Sequence, residues 1–94
     1  MKNLLARRRD NRARIIKLLK GKVSEEQIER FCMKNEINPK VAETIYLYLN
    51  NPIEDVADIL EVSNATIAKR VAGFITTCEI IDMLNYTIDK NKIK

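Results

Sequence analysis

The chain has 94 residues and a mass of 10.9 kDa, enough for one domain with a modest core. Hydrophobic residues make up 46% and charged residues 32%, a globular balance, and a core this small leaves room for a dimer or bound partner to add stability. With no His, only Gly21 and Gly73 as glycines and only Cys32 and Cys78 as cysteines, the sequence excludes a Ser–His triad, a Cys–His pair, a His-ligated metal, a glycine-rich phosphate loop, a four-ligand zinc site and a disulfide framework. The expectation is a binding module rather than an enzyme, with no cofactor and no metal.

The net charge of +4 and pI near 9.2 hide an uneven distribution. Residues 1–22 hold nine bases and one acid, Asp10, and sum to +8; residues 23–94 hold eight bases and twelve acids, and sum to −4. A basic arm on a mildly acidic body is suited to meeting phosphates, in nucleic acid or at an anionic surface. No apolar run reaches eighteen residues and no apolar stretch follows the charged first residues, so neither a membrane span nor a secretory signal is expected. Cys32 and Cys78 sit in apolar surroundings and read as reduced, buried thiols of a cytoplasmic protein.

The expected fold is all-α with about five helices, organised as a basic arm or helix over 1–22, a helical domain over 23–80 and a tail over 81–94. Helix 1 is predicted over about 3–20, with Gly21 ending it in left-handed geometry. Helix 2, about 24–35, starts at Ser24 as N-cap, with Gln27 completing a capping box and Val23 and Ile28 forming a hydrophobic staple. Ile28, Phe31 and Cys32 share one of its faces. Asn38-Pro39 opens helix 3, about 39–50, with Val41, Ala42, Ile45, Tyr48 and Leu49 toward the core. Asn51-Pro52 opens helix 4, about 52–60, with Glu54 completing a capping arrangement with Asn51, and Ile53, Val56, Ala57 and Leu60 form its buried stripe. Ser63 caps helix 5, about 64–78, with Val62 and Ile67 as a second staple and Ile67, Val71, Phe74 and Ile75 on the core face. After it, Ile80, Ile81 and Leu84 fit helical spacing, whereas Leu84, Tyr86 and Ile88 alternate as in a strand. A helical continuation, a short strand of a truncated wing and a dimer-forming arm are all open, with helix preferred, and residues 89–94 are expected to fray.

Residues 52–75 read PIEDVADILEVSNATIAKRVAGFI, which resembles the helix-turn-helix of DNA-binding proteins. The small residue at the helix crossing is Ala57, flanked by Val56 and Leu60; the short turn ends in Val62 before the cap Ser63; and Ile67 stands ten places after the alanine. One position departs from the usual pattern: the turn commonly begins with a Gly of positive φ, and here it is Glu61. The Ala68-Lys69-Arg70-Val71 ending is similar to sigma-factor region 4 and LuxR-type domains, and to the last two helices of the cyclin-like repeats of transcription factor IIB. For the last of these, residues 41–48 also look like the preceding helix, so the resemblance covers about 24 residues well and about 38 loosely.

What the resemblance implies is a second helix entering the major groove of double-stranded DNA, within a motif spanning 52–78. Its outward residues, Asn64, Ala65, Thr66, Ala68 and Lys69, become the candidate base contacts: Asn64 for adenine, the alanines for thymine methyls, Lys69 for guanine or phosphate. Arg70 faces a phosphate or an acid within the protein. The cluster Arg7, Arg8, Arg9, Arg12 and Arg14, with Lys17, supplies the other candidate phosphate contacts. If about five of these bases meet phosphates, log K falls with log salt at a slope of about −4 to −5. Against this stand Glu54, Asp55, Asp58 and Glu61 on helix 4, where acids repel phosphate but also suit a helix N-terminus.

The expected function is therefore a small sequence-specific DNA-binding protein, a transcriptional or replication-control factor. It would act as a homodimer joined through Ile80–Ile88 or helix 1. Two alternatives remain open: an adaptor contacting protein of the transcription machinery, and an arginine-rich RNA-binding protein, since the cluster is similar to phage antiterminator peptides. A membrane-surface role ranks below both, because Leu4-Leu5 and Ile15-Ile16 give only a broken apolar face.

Overall fold

A computed structural model describes the backbone of residues 11–92 and the side chains of residues 11–86. Within them lie five helices and no strand: α1 (residues 11–18), α2 (Glu25–Lys34), α3 (Pro39–Asn50), α4 (Ile53–Leu60) and α5 (Asn64–Lys92). The expected all-α class is the observed one. The predicted start of the first helix, residues 3–10, lies outside the described residues.

Each helix starts where the local chemistry favours it, with one exception. Ser24 Oγ accepts from the Gln27 N–H at 3.1 Å while the Ser24 N–H donates to the Gln27 side chain at 3.2 Å, a complete capping box. Asn38 Oδ1 accepts from the Lys40 N–H at 2.9 Å, with Pro39 in the first turn where its missing N–H costs nothing. Ser63 Oγ accepts from the Thr66 N–H at 3.1 Å. The exception corrects the expectation for α4. Its N-cap is Pro52 and no side chain caps it, because Asn51 turns back and donates through Nδ2 to the Leu47 carbonyl at 3.0 Å. Asn51 therefore terminates α3 instead of starting α4.

Three helices end in the same way, and none uses glycine at the decisive position. After α1, the Lys20 N–H donates to Lys17 O and the Gly21 N–H to Ile16 O, both at 3.0 Å. After α2, Glu36 bonds to Met33 O and Ile37 to Cys32 O; after α4, Glu61 bonds to Asp58 O and Val62 to Ala57 O. These paired bonds close the last turn and place Lys20, Glu36 and Glu61 in left-handed conformation, with φ of 56°, 57° and 56°. A side chain there costs on the order of 1 kcal/mol. Gly21 does adopt positive φ, at 78°, but as the residue after Lys20.

The core draws on every helix. Ile15 and Leu19 of the α1 region meet Ile28 and Cys32 of α2, Ala42, Ile45 and Tyr48 of α3, Ile53, Val56 and Ala57 of α4, and Ile67, Val71, Phe74, Ile75 and Cys78 of α5. Val41, Leu49 and Leu60 pack against this cluster but are only partly buried. Phe31, expected on the same face as Ile28, is also half-buried and meets Phe74 edge to face, with ring centroids 5.9 Å apart.

α5 extends well past its predicted end. Its 29 residues span about 43 Å, close to the 50 Å long axis of the molecule. No Gly or Pro interrupts residues 74–92, and a lone strand would find no pairing partner among helices. The helical alternative for the tail is the observed one through Lys92.

Candidate nucleic-acid interface

α4 and α5 are joined by residues 61–63 and pack on one another. Val56 and Ile67 are fully buried, and Ala57 is buried with only a methyl to accommodate. Glu61 takes the left-handed conformation that the sequence motif commonly gives to glycine. Around this junction Asn64, Ala65, Ala68 and Lys69 are exposed on the first turns of α5. Thr66 is half-buried, and its hydroxyl lies 3.0 Å from that of Ser63, so it belongs to the cap as much as to the surface.

Arg70, a candidate phosphate contact, is engaged with a hydroxyl within the protein. Its Nη1 donates to Thr44 Oγ1 at 3.1 Å, and that hydroxyl donates to the Lys40 carbonyl at 2.8 Å. Thr44 is fully buried. The pair satisfies a core hydroxyl and leaves the remaining guanidinium donors at the half-buried edge of α5.

Of the two described arginines of the cluster, Arg12 is the more fully engaged. Its Nε donates to the Tyr48 carbonyl at 2.9 Å and its Nη2 to the Asn51 carbonyl at 2.8 Å, while the guanidinium carbon stands 4.3 Å above the Tyr48 ring. α3 has no basic residue in its own last turn. Arg12 therefore supplies, from 36 residues away, the cation and donors that the C-terminal carbonyls of α3 need. This also places the Arg12 side chain beside Asn51, one residue before the N-cap of α4.

Arg14 pairs with Glu79 on α5, both half exposed, and Lys17 is exposed. Glu79 lies fifteen residues after Asn64, so this pair stands about 22 Å along α5 from the exposed first turn. Arg7, Arg8 and Arg9 lie outside the described residues. On α4, Glu54, Asp55 and Asp58 are exposed, as is Glu61 in the turn.

Both thiols are buried. Burial pushes Cys32 up to about 11 and Cys78 up to about 12, the latter also through the neighbouring Cys32, Asp82 and Glu79. They stay protonated at neutral pH and act as small apolar groups. Among the described residues no helix is long and apolar enough to cross a membrane.

The anchoring of Arg12 and the buried Thr44 were not visible in the sequence. Both depend on contacts 26 to 39 residues apart, for which local spacing carries no signal. No protein-family model, curated protein or solved structure matches this chain.

Proposed function

We propose that the chain is a small sequence-specific DNA-binding protein of the helix-turn-helix type, a transcriptional or replication-control factor, working in the cytoplasm. The start of α5 would enter the major groove, with Asn64 and Lys69 as the polar readers and Ala65 and Ala68 against thymine methyls. Thr66 contributes less, because its hydroxyl is shared with Ser63. The basic segment would hold the backbone through Arg7, Arg8, Arg9 and Lys17, with Arg14 and Arg70 able to join at the cost of Glu79 and Thr44.

The observation that carries this reading is the position of Arg12. In a bound helix-turn-helix the start of the first helix lies near the DNA backbone. Arg12 bonds to the carbonyl of Asn51, one residue before the N-cap of α4, so the basic segment continuing from it would set positive charge against the acidic residues of α4 that otherwise repel phosphate. Because Arg12 is engaged with carbonyls, about four phosphate contacts are expected and a salt slope of about −3 to −4.

Dimerisation fits this reading, since two half-sites raise both affinity and register. The exposed Ile80, Met83, Leu84 and Tyr86 on the far part of α5 supply an apolar surface for a second copy. A second reading, a protein-interaction adaptor, is favoured by the exposed Glu54, Asp55 and Asp58. Duplex titration at low and high salt separates the two, using the full chain, a form lacking residues 1–10 and Asn64→Ala/Lys69→Ala. The DNA reading expects salt-dependent binding, a large loss without the segment and a sequence-dependent loss in the double variant. Absence of duplex binding at low salt would refute it.

A further inference from the structure

A cleft between α2 and α3 has a volume of about 540 Å³. Glu25, Glu29 and Glu43 line it together with Met33, Leu47 and Ile59, and no basic residue among the described residues does. Met33 is 77% exposed and Ile59 56% exposed, so two large apolar side chains stand open beside three carboxylates. Neither α1 nor α5 contributes to the lining, so the cleft is separate from the exposed start of α5.

We propose that this cleft is the docking site of the chain's own residues 2–9, KNLLARRR, and that it holds them when they are not on phosphate. The match is one of chemistry. Leu4 and Leu5 are adjacent apolar anchors for the Met33, Leu47 and Ile59 surface. Arg7, Arg8 and Arg9 follow directly, three cations for three carboxylates. The body beyond residue 22 is acidic overall, so the same field attracts the segment back to it.

Reach is sufficient. Arg12 is held at the carbonyls of Tyr48 and Asn51, and the α3 residues of the cleft are Pro39 to Leu47. Along the helix these lie within about 18 Å of that anchor, and crossing α3 adds about one helix diameter, 10–12 Å. Leu4 and Leu5 stand eight and seven residues before Arg12, an extended reach of about 23–26 Å, and Leu47 lies only about 6 Å along the helix from Asn51.

One consequence rests on the DNA-binding reading: a docked segment is withheld from the duplex, so the cleft lowers attachment to phosphate until a correct site competes for the arginines. The docking itself does not rest on it.

The decisive experiment uses the full chain with Asn3→Cys carrying a nitroxide and with isotope-labelled methyls. The two native thiols are buried and protonated, so the introduced one is the reactive site at neutral pH. At low ionic strength the Met33, Leu47 and Ile59 methyls should broaden. That broadening should be lost in high salt and in Glu25→Gln/Glu29→Gln/Glu43→Gln. Unbroadened methyls at low salt would overturn the proposal. So would broadening transferred from nitroxide-bearing chains to isotope-labelled ones in a mixture, which would place a second copy's segment in the cleft. On duplex DNA the triple variant should bind several-fold tighter than a control with equal charge change on the far part of α5, Asp82→Lys/Asn85→Lys. Equal affinities of the two would overturn the withholding of the arginines. The methyl readout contains no DNA, so it decides the docking whether or not the chain binds a duplex.

Discussion

The two parts of α5 share one helix and one kind of sequence but differ in what surrounds them. Residues 64–78 bury Ile67, Val71, Phe74, Ile75 and Cys78 against the other helices. From residue 79 onward the helix carries Ile80, Met83, Leu84 and Tyr86 at 51%, 69%, 58% and 68% exposure. Apolar spacing is similar in both, so periodicity forms the helix but does not determine burial. Burial ends where the rest of the body ends. In the first part tertiary packing stabilises the helix; in the second, where the large apolar side chains are exposed, a greater share falls to intrinsic propensity and continuation from an existing helix, which give little stability in water.

The sharpest way to break this contrast is truncation of one side chain on each side of residue 79. Phe74→Ala should cost about 3–5 kcal/mol, since it removes a buried ring and its contact with Phe31. Leu84→Ala should cost less than about 0.5 kcal/mol at the lowest protein concentration, as expected for an exposed position. Urea titration at several concentrations checks both, and a Leu84→Ala penalty that grows with concentration would mark the far part of α5 as a dimer surface.

The next effect separates two arginines that the sequence treats alike. Arg12→Met should cost about 2–3 kcal/mol, because two charge-assisted bonds to part-buried carbonyls are lost. Arg14→Ala should cost at most a few tenths of a kcal/mol, because its pair with Glu79 is half exposed and screened by solvent. Equal penalties would contradict the anchoring role of Arg12.

A smaller and opposite effect comes from the two glycines. Gly73 lies inside α5, and a Cβ there would meet nothing within 4 Å. Gly73→Ala should therefore stabilise by about 0.5–1 kcal/mol through helix propensity. Gly21→Ala should destabilise by about 1 kcal/mol, since φ is +78° there. Thermal melts of the two variants should move in opposite directions.

The thiols give a pH signature. Their folded pKa values of about 11 and about 12 lie above the ordinary 9.0, so above pH 9 the unfolded state releases protons that the folded state keeps. Their contribution is complete below pH 9 and is lost as pH rises from there through 11 and 12. Urea midpoints measured across that window should fall more steeply for the wild type than for Cys32→Ala/Cys78→Ala.

Much of the fold was legible because its starts are chemically marked. Ser24 with Gln27, Asn38 with Pro39, and Ser63 each set a boundary where it is observed. Asn51-Pro52 misled for a physical reason: an asparagine can cap either neighbouring helix, and here its amide bonds backward to Leu47. The left-handed ends at Lys20 and Glu36 were not readable, because these residues lack the glycine signature and are held there by paired backbone bonds, whereas Glu61 stands where the motif commonly has a positive-φ glycine. Of the candidate interface, the exposed Asn64, Ala65, Ala68 and Lys69 follow from helical spacing. The diversion of Arg12 and Arg70 into the protein follows only from the fold.

Selection of bound sequences from a random duplex pool tests the proposed function most directly. The full chain should enrich one short motif, palindromic if two copies bind together, and Asn64→Ala/Lys69→Ala should relax or erase that motif while keeping salt-dependent attachment. A pool that shows no enrichment through repeated rounds would contradict sequence-specific DNA binding.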